Sequence, residues 1–198
     1  EREKKLKKTD ATSRAALEDA ENALAAAKQK NAQPVTKITI VPHTEGALGY
    51  TLHLPEEEKF LMSKDDILTE IRTLVAGRCA EELIFNTQTS GAANDIERAT
   101  EIARRMVTKF GMSAKIGLVK LGTGNNEVFL GRDFSSTPNY SENTAALIDT
   151  EVRDIVMQQY EKAKDILNNN MEKVHKVAGR LFLEEKISGD DFRAIMAE

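Results

Sequence analysis

From Ser63 onward apolar residues return every three or four positions, and this period constrains the fold more than any other feature of the sequence. Ile67, Leu68, Ile71, Leu74, Val75 and Leu83 mark one amphipathic helix running to about Phe85. Ser63-Lys64-Asp65-Asp66 stands ahead of it with the Ser-x-x-acid pattern of a capping box. Gly77 lies inside this helix at some cost in propensity, which points to close packing against a neighbour. After a loop at Gln88 to Ala93, the residues Ile96, Ala99, Ala103, Met106, Val107 and Phe110 mark a second helix from Asn94, with Gly111 as its C′ residue. Ile148, Val152, Ile155, Val156, Ala163, Ile166 and Leu167 give a long third helix its apolar face. Val174 to Leu183 continues as helix, and Ser188-Gly189-Asp190-Asp191 caps a last short one carrying Phe192, Ile195 and Met196.

The N-terminal part differs. EREKKLKK is charged except for Leu6 and reads as a solvated linker or the end of an upstream element, so residues 1–13 are set apart from a domain spanning 14–198. Arg14 to Lys30 is Ala-rich with no Gly or Pro. Leu17, Ala20, Leu24 and Ala27 form a stripe, and Pro34 stops the helix. Lys37 to Val41 is β-branched and Leu48 to Leu54 alternates in character. With Pro42, Gly46 and Pro55 as breakers they predict a small hairpin or meander. Between 112 and 140, Gly117, Gly122, Gly124, Gly131, Pro138 and the pair Asn125-Asn126 signal irregular structure, with short strands expected near Gly117–Leu121 and Val128–Leu130. The fold class is therefore mainly α, an α+β chain with a small β-sheet near the N-terminus.

Composition narrows the function. With 28 basic and 32 acidic residues the net charge is −4, which leaves no electrostatic footprint for nucleic acid. No apolar run approaches the roughly 18 residues needed to span a bilayer. One Cys in 198 residues rules out an internal disulfide framework and a Cys-rich zinc site. Cys79 shares a helix face with Val75 and Leu83, so it reads as a buried, inert thiol. Only three His are available to a metal: His43 in a turn, His53 in the second strand and His175 on a C-terminal helix. The first residue is Glu rather than Met, which points to a segment of a longer protein.

The motifs are more specific. Ala80-Glu81-Glu82-Leu83, Ser90-Gly91-Ala92-Ala93-Asn94-Asp95, Ala99-Thr100, Ala103-Arg104, Met106-Val107 and Gly111-Met112-Ser113 follow one another. Upstream stand Lys37-Ile38-Thr39-Ile40, Ala47-Leu48-Gly49-Tyr50-Thr51 and Leu54-Pro55-Glu56-Glu57. Over about residues 34–196 the chain resembles the peptidase domain of the FtsH family, membrane-anchored and ATP-dependent zinc metalloendopeptidases. The resemblance implies a helical domain C-terminal to an AAA ATPase module, a homo- or hetero-hexameric ring, polypeptide substrates, and N-terminal membrane anchors. It places the domain on the cytoplasmic or organelle-interior side. It also implies zinc held by two His of an HExxH motif and an Asp on a later helix, with the motif's Glu as general base. That Asp corresponds to Asp95.

Counting back from Pro34 without a gap, HExxH falls on Glu18-Asp19-Ala20-Glu21-Asn22. Glu18 and Asn22 stand at the two His positions and Asp19 at the general-base position. Two His at i and i+4 present neutral nitrogens to a shared metal. Glu18, Asn22 and Asp95 offer only oxygen, a set better suited to a weak hard-cation site than to zinc. Asp19 is one methylene shorter than Glu, and a displacement of roughly 1 Å can cost about 10²-fold in rate. The expectation is an FtsH-like domain that does not cleave peptide bonds, with no cofactor in this chain and ATP confined to the absent module. Three alternatives stay open. One is an active hydrolase with a rearranged metal set of Asp95, Glu18 and His53. Another is a metalloendopeptidase inactivated by an engineered first helix. The last is a ring-assembly and substrate-handling module. Without a metal, Asp95 has a structural role as well, as a carboxylate at the positive end of a helix.

Overall fold

A computed structural model of the chain describes residues 35–41, 50–53, 61–122 and 139–198, with no account of the His53 side chain. The Ala-rich segment at 14–30, the expected strand at Val128–Leu130, His43 and the three HExxH positions Glu18, Asp19 and Asn22 lie outside the described residues.

Among the described residues, three strands and five α-helices follow in chain order: β1 (Val35–Thr39), β2 (Tyr50–His53), α1 (Lys64–Phe85), α2 (Ala93–Thr108), α3 (Glu142–Asn168), α4 (Met171–Glu184), β3 (Lys186–Ser188) and α5 (Gly189–Ala197), with a 3₁₀ turn at Ser90–Ala92 before α2. The mainly α class holds, and none of these helices is long and apolar enough to cross a membrane.

The capping patterns act as the sequence predicts. The Ser63 hydroxyl accepts from the Asp66 amide, and the Asp66 carboxylate accepts from the Ser63 amide at 2.9 Å, so two amides at the start of α1 are satisfied reciprocally. Ser188 likewise accepts from the Asp191 amide at the start of α5. At the end of α2, Gly111 takes φ 60 and turns the chain back, so that the Met112 amide reaches the Met106 carbonyl at 3.1 Å.

α1, α2 and α3 pack together on one apolar core. Ile67, Ile71, Val75 and Cys79 from α1 meet Ala99, Ala103, Met106 and Val107 from α2 and Ile148, Val152, Ala163 and Leu167 from α3. Gly77 is buried within α1. Val156 packs at the margin of this core rather than within it. A second cluster joins Val35, Ile38 and Ile40 to Val177, Ala178 and Leu181 of α4, to Ile187 and to Phe192 and Ile195 of α5.

The sheet is antiparallel in the order β2-β1-β3. Ile38 pairs with Thr51 on one side and Ile187 on the other. β3 is not expected from the sequence: three residues carry too little periodicity to be read as a strand. It forms because β1 offers an open edge and α4 delivers the chain to it through Glu185, a left-handed residue at φ 60. The expected strand near Gly117–Leu121 is corrected to turns and irregular backbone. Gly117 and Gly122 take φ 84 and 119, and the Ser113 hydroxyl accepts the Lys115 and Ile116 amides at 3.2 and 3.3 Å, which bends the chain away from an extended path.

Candidate functional site

Asp95 is the sequence-predicted site residue that the structure describes. It sits half-buried in the first turn of α2. Burial pushes its carboxyl above the ordinary aspartate range, while nearby Arg98 pulls the other way. Its helix starts without help from its own N-cap, since Ala92 has no side chain that can accept a hydrogen bond. The support comes from the preceding turn and from α1. Thr89 caps the 3₁₀ turn, its hydroxyl accepting from the Gly91 amide at 3.2 Å. The same hydroxyl donates to Glu81 Oε1, and the Thr89 amide donates to Glu81 Oε2 at 3.2 Å. Arg78 reaches both partners, with Nη1 3.2 Å from Glu81 Oε2 and Nη2 donating to the Thr89 carbonyl at 2.7 Å.

Glu82, the next residue, faces another way. Consecutive helical residues are rotated by about 100°, so adjacent carboxylates cannot share a target. Glu82 accepts from Lys164 Nζ at 2.7 Å and from the Tyr160 hydroxyl at 2.5 Å, tying α1 to α3. Those two hydrogen bonds, Lys164's first, hold the Glu82 carboxyl below the usual glutamate range. Burial and the Glu82 contact raise the Tyr160 phenol. Because the folded chain holds the Glu82 proton less tightly than the unfolded chain, the contact stabilises fully above the ordinary glutamate range and fades as pH falls below it. Melting temperatures taken from about pH 7 to about pH 3 are therefore expected to fall less for Glu82→Gln than for the native chain. Parallel curves would show that the contact adds nothing.

Cys79 lies beside this cluster, buried, with its thiol donating to the Tyr160 carbonyl at 3.4 Å. Burial, reinforced by Glu82, pushes it up to about 12, which is the inert thiol expected from its helix face. His175 is exposed on α4, away from Asp95's helix in the sequence. Among the described residues no group of three His, Cys, Asp or Glu comes together. A cavity of about 120 Å³ between α1, the end of α2 and α3 is lined by Leu68, Met106 and Met112 with Lys115, Glu151 and Asp154. Lys115 lies 2.8 Å from each of the two carboxylates, which pairs these three charges, and Lys64 also lines the cavity.

The sequence alone does not announce the Arg78-Glu81-Thr89 contacts, although Glu81 and the 88–93 loop both stand within the family-like motifs. The pairing of half-buried Arg72 with buried Gln159 is not announced either. Gln159 falls on the apolar stripe of α3, and its Oε1 accepts from Arg72 Nε and Nη2 at 3.2 and 2.8 Å. A polar residue on an apolar stripe is the signal that could have found it, since a buried amide needs a partner.

The family model of peptidase family M41 matches residues 6–195. The chain belongs to this family. A protein of Caldicellulosiruptor bescii, named ATP-dependent zinc metalloprotease FtsH, is 45% identical over 198 residues, all of this chain and 31% of that protein. ATP-dependent zinc metalloprotease FtsH 3 of Petrotoga mobilis is 50% identical over 166 residues, 84% of this chain and 26% of its own length. The FtsH of Thermotoga maritima is 45% identical over 183 residues, 92% of this chain and 30% of its own. The chain thus spans 26–31% of the length of these relatives.

Those relatives are zinc proteases by name, and the M41 chain's own donors can be tested against that metal. A catalytic zinc takes nitrogen or sulfur ligands with at most one carboxylate in the common sets. On the gapless count back from Pro34, the two His positions would hold Glu18 and Asn22, with Asp95 at the third ligand position. Such a set of two carboxylates and an amide would not fit zinc.

Proposed function

We propose that this chain is an M41 peptidase domain that keeps the family's fold and does not hydrolyse peptide bonds, serving as a structural and substrate-handling domain beside an ATPase. The observation that carries the reading is Glu18-Asp19-Ala20-Glu21-Asn22 at the place of HExxH, with both imidazoles and the general-base Glu absent together. One lost ligand could be replaced from a neighbouring element. Loss of all three leaves no nitrogen donor and no correctly placed base. In this reading residues 14–198 form the domain and 1–13 the linker from an upstream AAA ATPase module, which binds the ATP. N-terminal membrane anchors hold the parent on the cytoplasmic or organelle-interior side, and six copies, alone or with active subunits, form the ring that receives polypeptides. Family membership and the long relatives support this placement.

Zinc titration of the purified chain by calorimetry, with casein cleavage by the assembled parent protein, tests the reading. Expected are no stoichiometric zinc uptake and no turnover above a zinc-free control. Tight one-to-one zinc binding accompanied by turnover overturns it.

A further inference from the structure

We infer that Glu81 is a positioning residue for Asp95: held by Arg78, it clamps Thr89 and so fixes the turn from which the Asp95 helix starts. The inference rests on the reading of Asp95 as the part of the peptidase site this chain retains, and gives the Ala80-Glu81-Glu82 motif a role. Glu81 is only 9% exposed, an expensive place for a carboxylate unless its oxygens are satisfied. They are. Oε1 accepts from the Thr89 hydroxyl, and Oε2 takes the Thr89 amide and lies beside Arg78 Nη1. Arg78 also takes the Thr89 carbonyl, so the hydroxyl, amide and carbonyl of one loop residue are all held by side chains of α1.

Thr89 passes this restraint forward. Its hydroxyl accepts from the Gly91 amide, the Ala93 amide donates to the Ser90 carbonyl, and Ala92 is buried at 2% exposure where α2 begins. With no side-chain cap on α2 itself, the clamp takes over the work that a capping residue does elsewhere. Gly91 lets it close, since a Cβ there would come within 3.3 Å of the Thr89 hydroxyl. Glu82 has the separate task of bracing α1 on α3. Two adjacent acidic residues therefore do different jobs, and only the first is coupled to Asp95.

Amide exchange and carboxyl 13C spectra of the metal-free chain test this. Glu81→Gln and Thr89→Val are expected to speed exchange at Gly91 and Ala93 by at least about tenfold, the scale of one lost charge-assisted hydrogen bond. Exchange at Val152, inside α3, stays unchanged, the Asp95 13Cγ resonance shifts, and Thr89→Ser restores both readouts. Unchanged exchange at Gly91 and Ala93 overturns the inference. So does an equal rise at Val152, a fixed Asp95 resonance, or a Thr89→Ser chain that behaves like Thr89→Val. Glu81→Gln preserves side-chain shape, so the test stands even where Thr89→Val does not fold. No metal enters these measurements, so zinc binding by the native chain would sink the proposed function without touching this result.

Discussion

Glu18→His with Asn22→His and Glu21→Gly is expected to give a chain that binds a single zinc ion at least about 10³-fold more tightly than the native one. The two His would stand at i and i+4, the spacing that presents two imidazoles to one metal, and Glu21 would no longer place a charge on the same face. In the proposed reading Asp95 would supply the third ligand. Asp95 is carried on a helix packed through Ala99, Ala103, Met106 and Val107, and burial raises the proton affinity of its carboxyl, so zinc competes there with a proton and binding tightens as pH rises. Calorimetry of the restored chain measures the gain. Adding Asp95→Asn should remove at least about 10-fold of it, because even partners outside the metal's direct ligands are worth about 10–100-fold. A restored chain that folds by circular dichroism yet binds zinc no better than the native one would show that positions 18 and 22 do not face Asp95.

Much of the fold is legible in the sequence because its determinants are local. The stripe Ile67-Ile71-Val75 and the Ser63 capping box fix α1, and Ser188 with Asp191 fixes α5, each within a few residues. What escapes is whatever depends on residues distant in the chain. β3 is a strand only because β1 lies beside it. Gly117 and Gly122 read as neutral punctuation, while in the fold their positive φ angles abolish the strand expected between them. The site divides the same way. Asp95 is found from its motif, and its place in the first turn of a helix follows from the neighbouring period. That the turn is clamped by Glu81, eight residues upstream of Thr89, depends on α1 and the loop folding back on each other, which no helical period encodes. Glu82 shows the limit from the other side: its Lys164 partner lies 82 residues away, and nothing in a run of Glu-Glu says which neighbour each carboxylate will choose.

The same substitution at two glycines should move stability in opposite directions. Gly189 opens α5 against the backbone of β1. A Cβ built there falls 2.4 Å from the Val35 carbonyl oxygen and 3.0 Å from that of Thr36. Both are main-chain atoms, so no side chain can swing aside. Relief requires α5 to lift from β1, which would part Phe192 and Ile195 from Val35, Ile38 and Ile40 in the second core and stretch the Arg193 hydrogen bond to the Val35 carbonyl, now 3.3 Å. Gly189→Ala is therefore expected to cost about 1–3 kcal/mol, the range for overpacking a rigid site. Gly179 lies on the exposed side of α4, and a Cβ there meets nothing within 4 Å. In a helix interior Ala restricts the unfolded chain and favours the helix, so Gly179→Ala should stabilise by about 0.5–1 kcal/mol. Urea denaturation of the two variants beside the native chain separates these effects. Midpoints that move the same way, or a neutral Gly189→Ala, would mean that the approach of α5 to β1 is not as close as the structure has it.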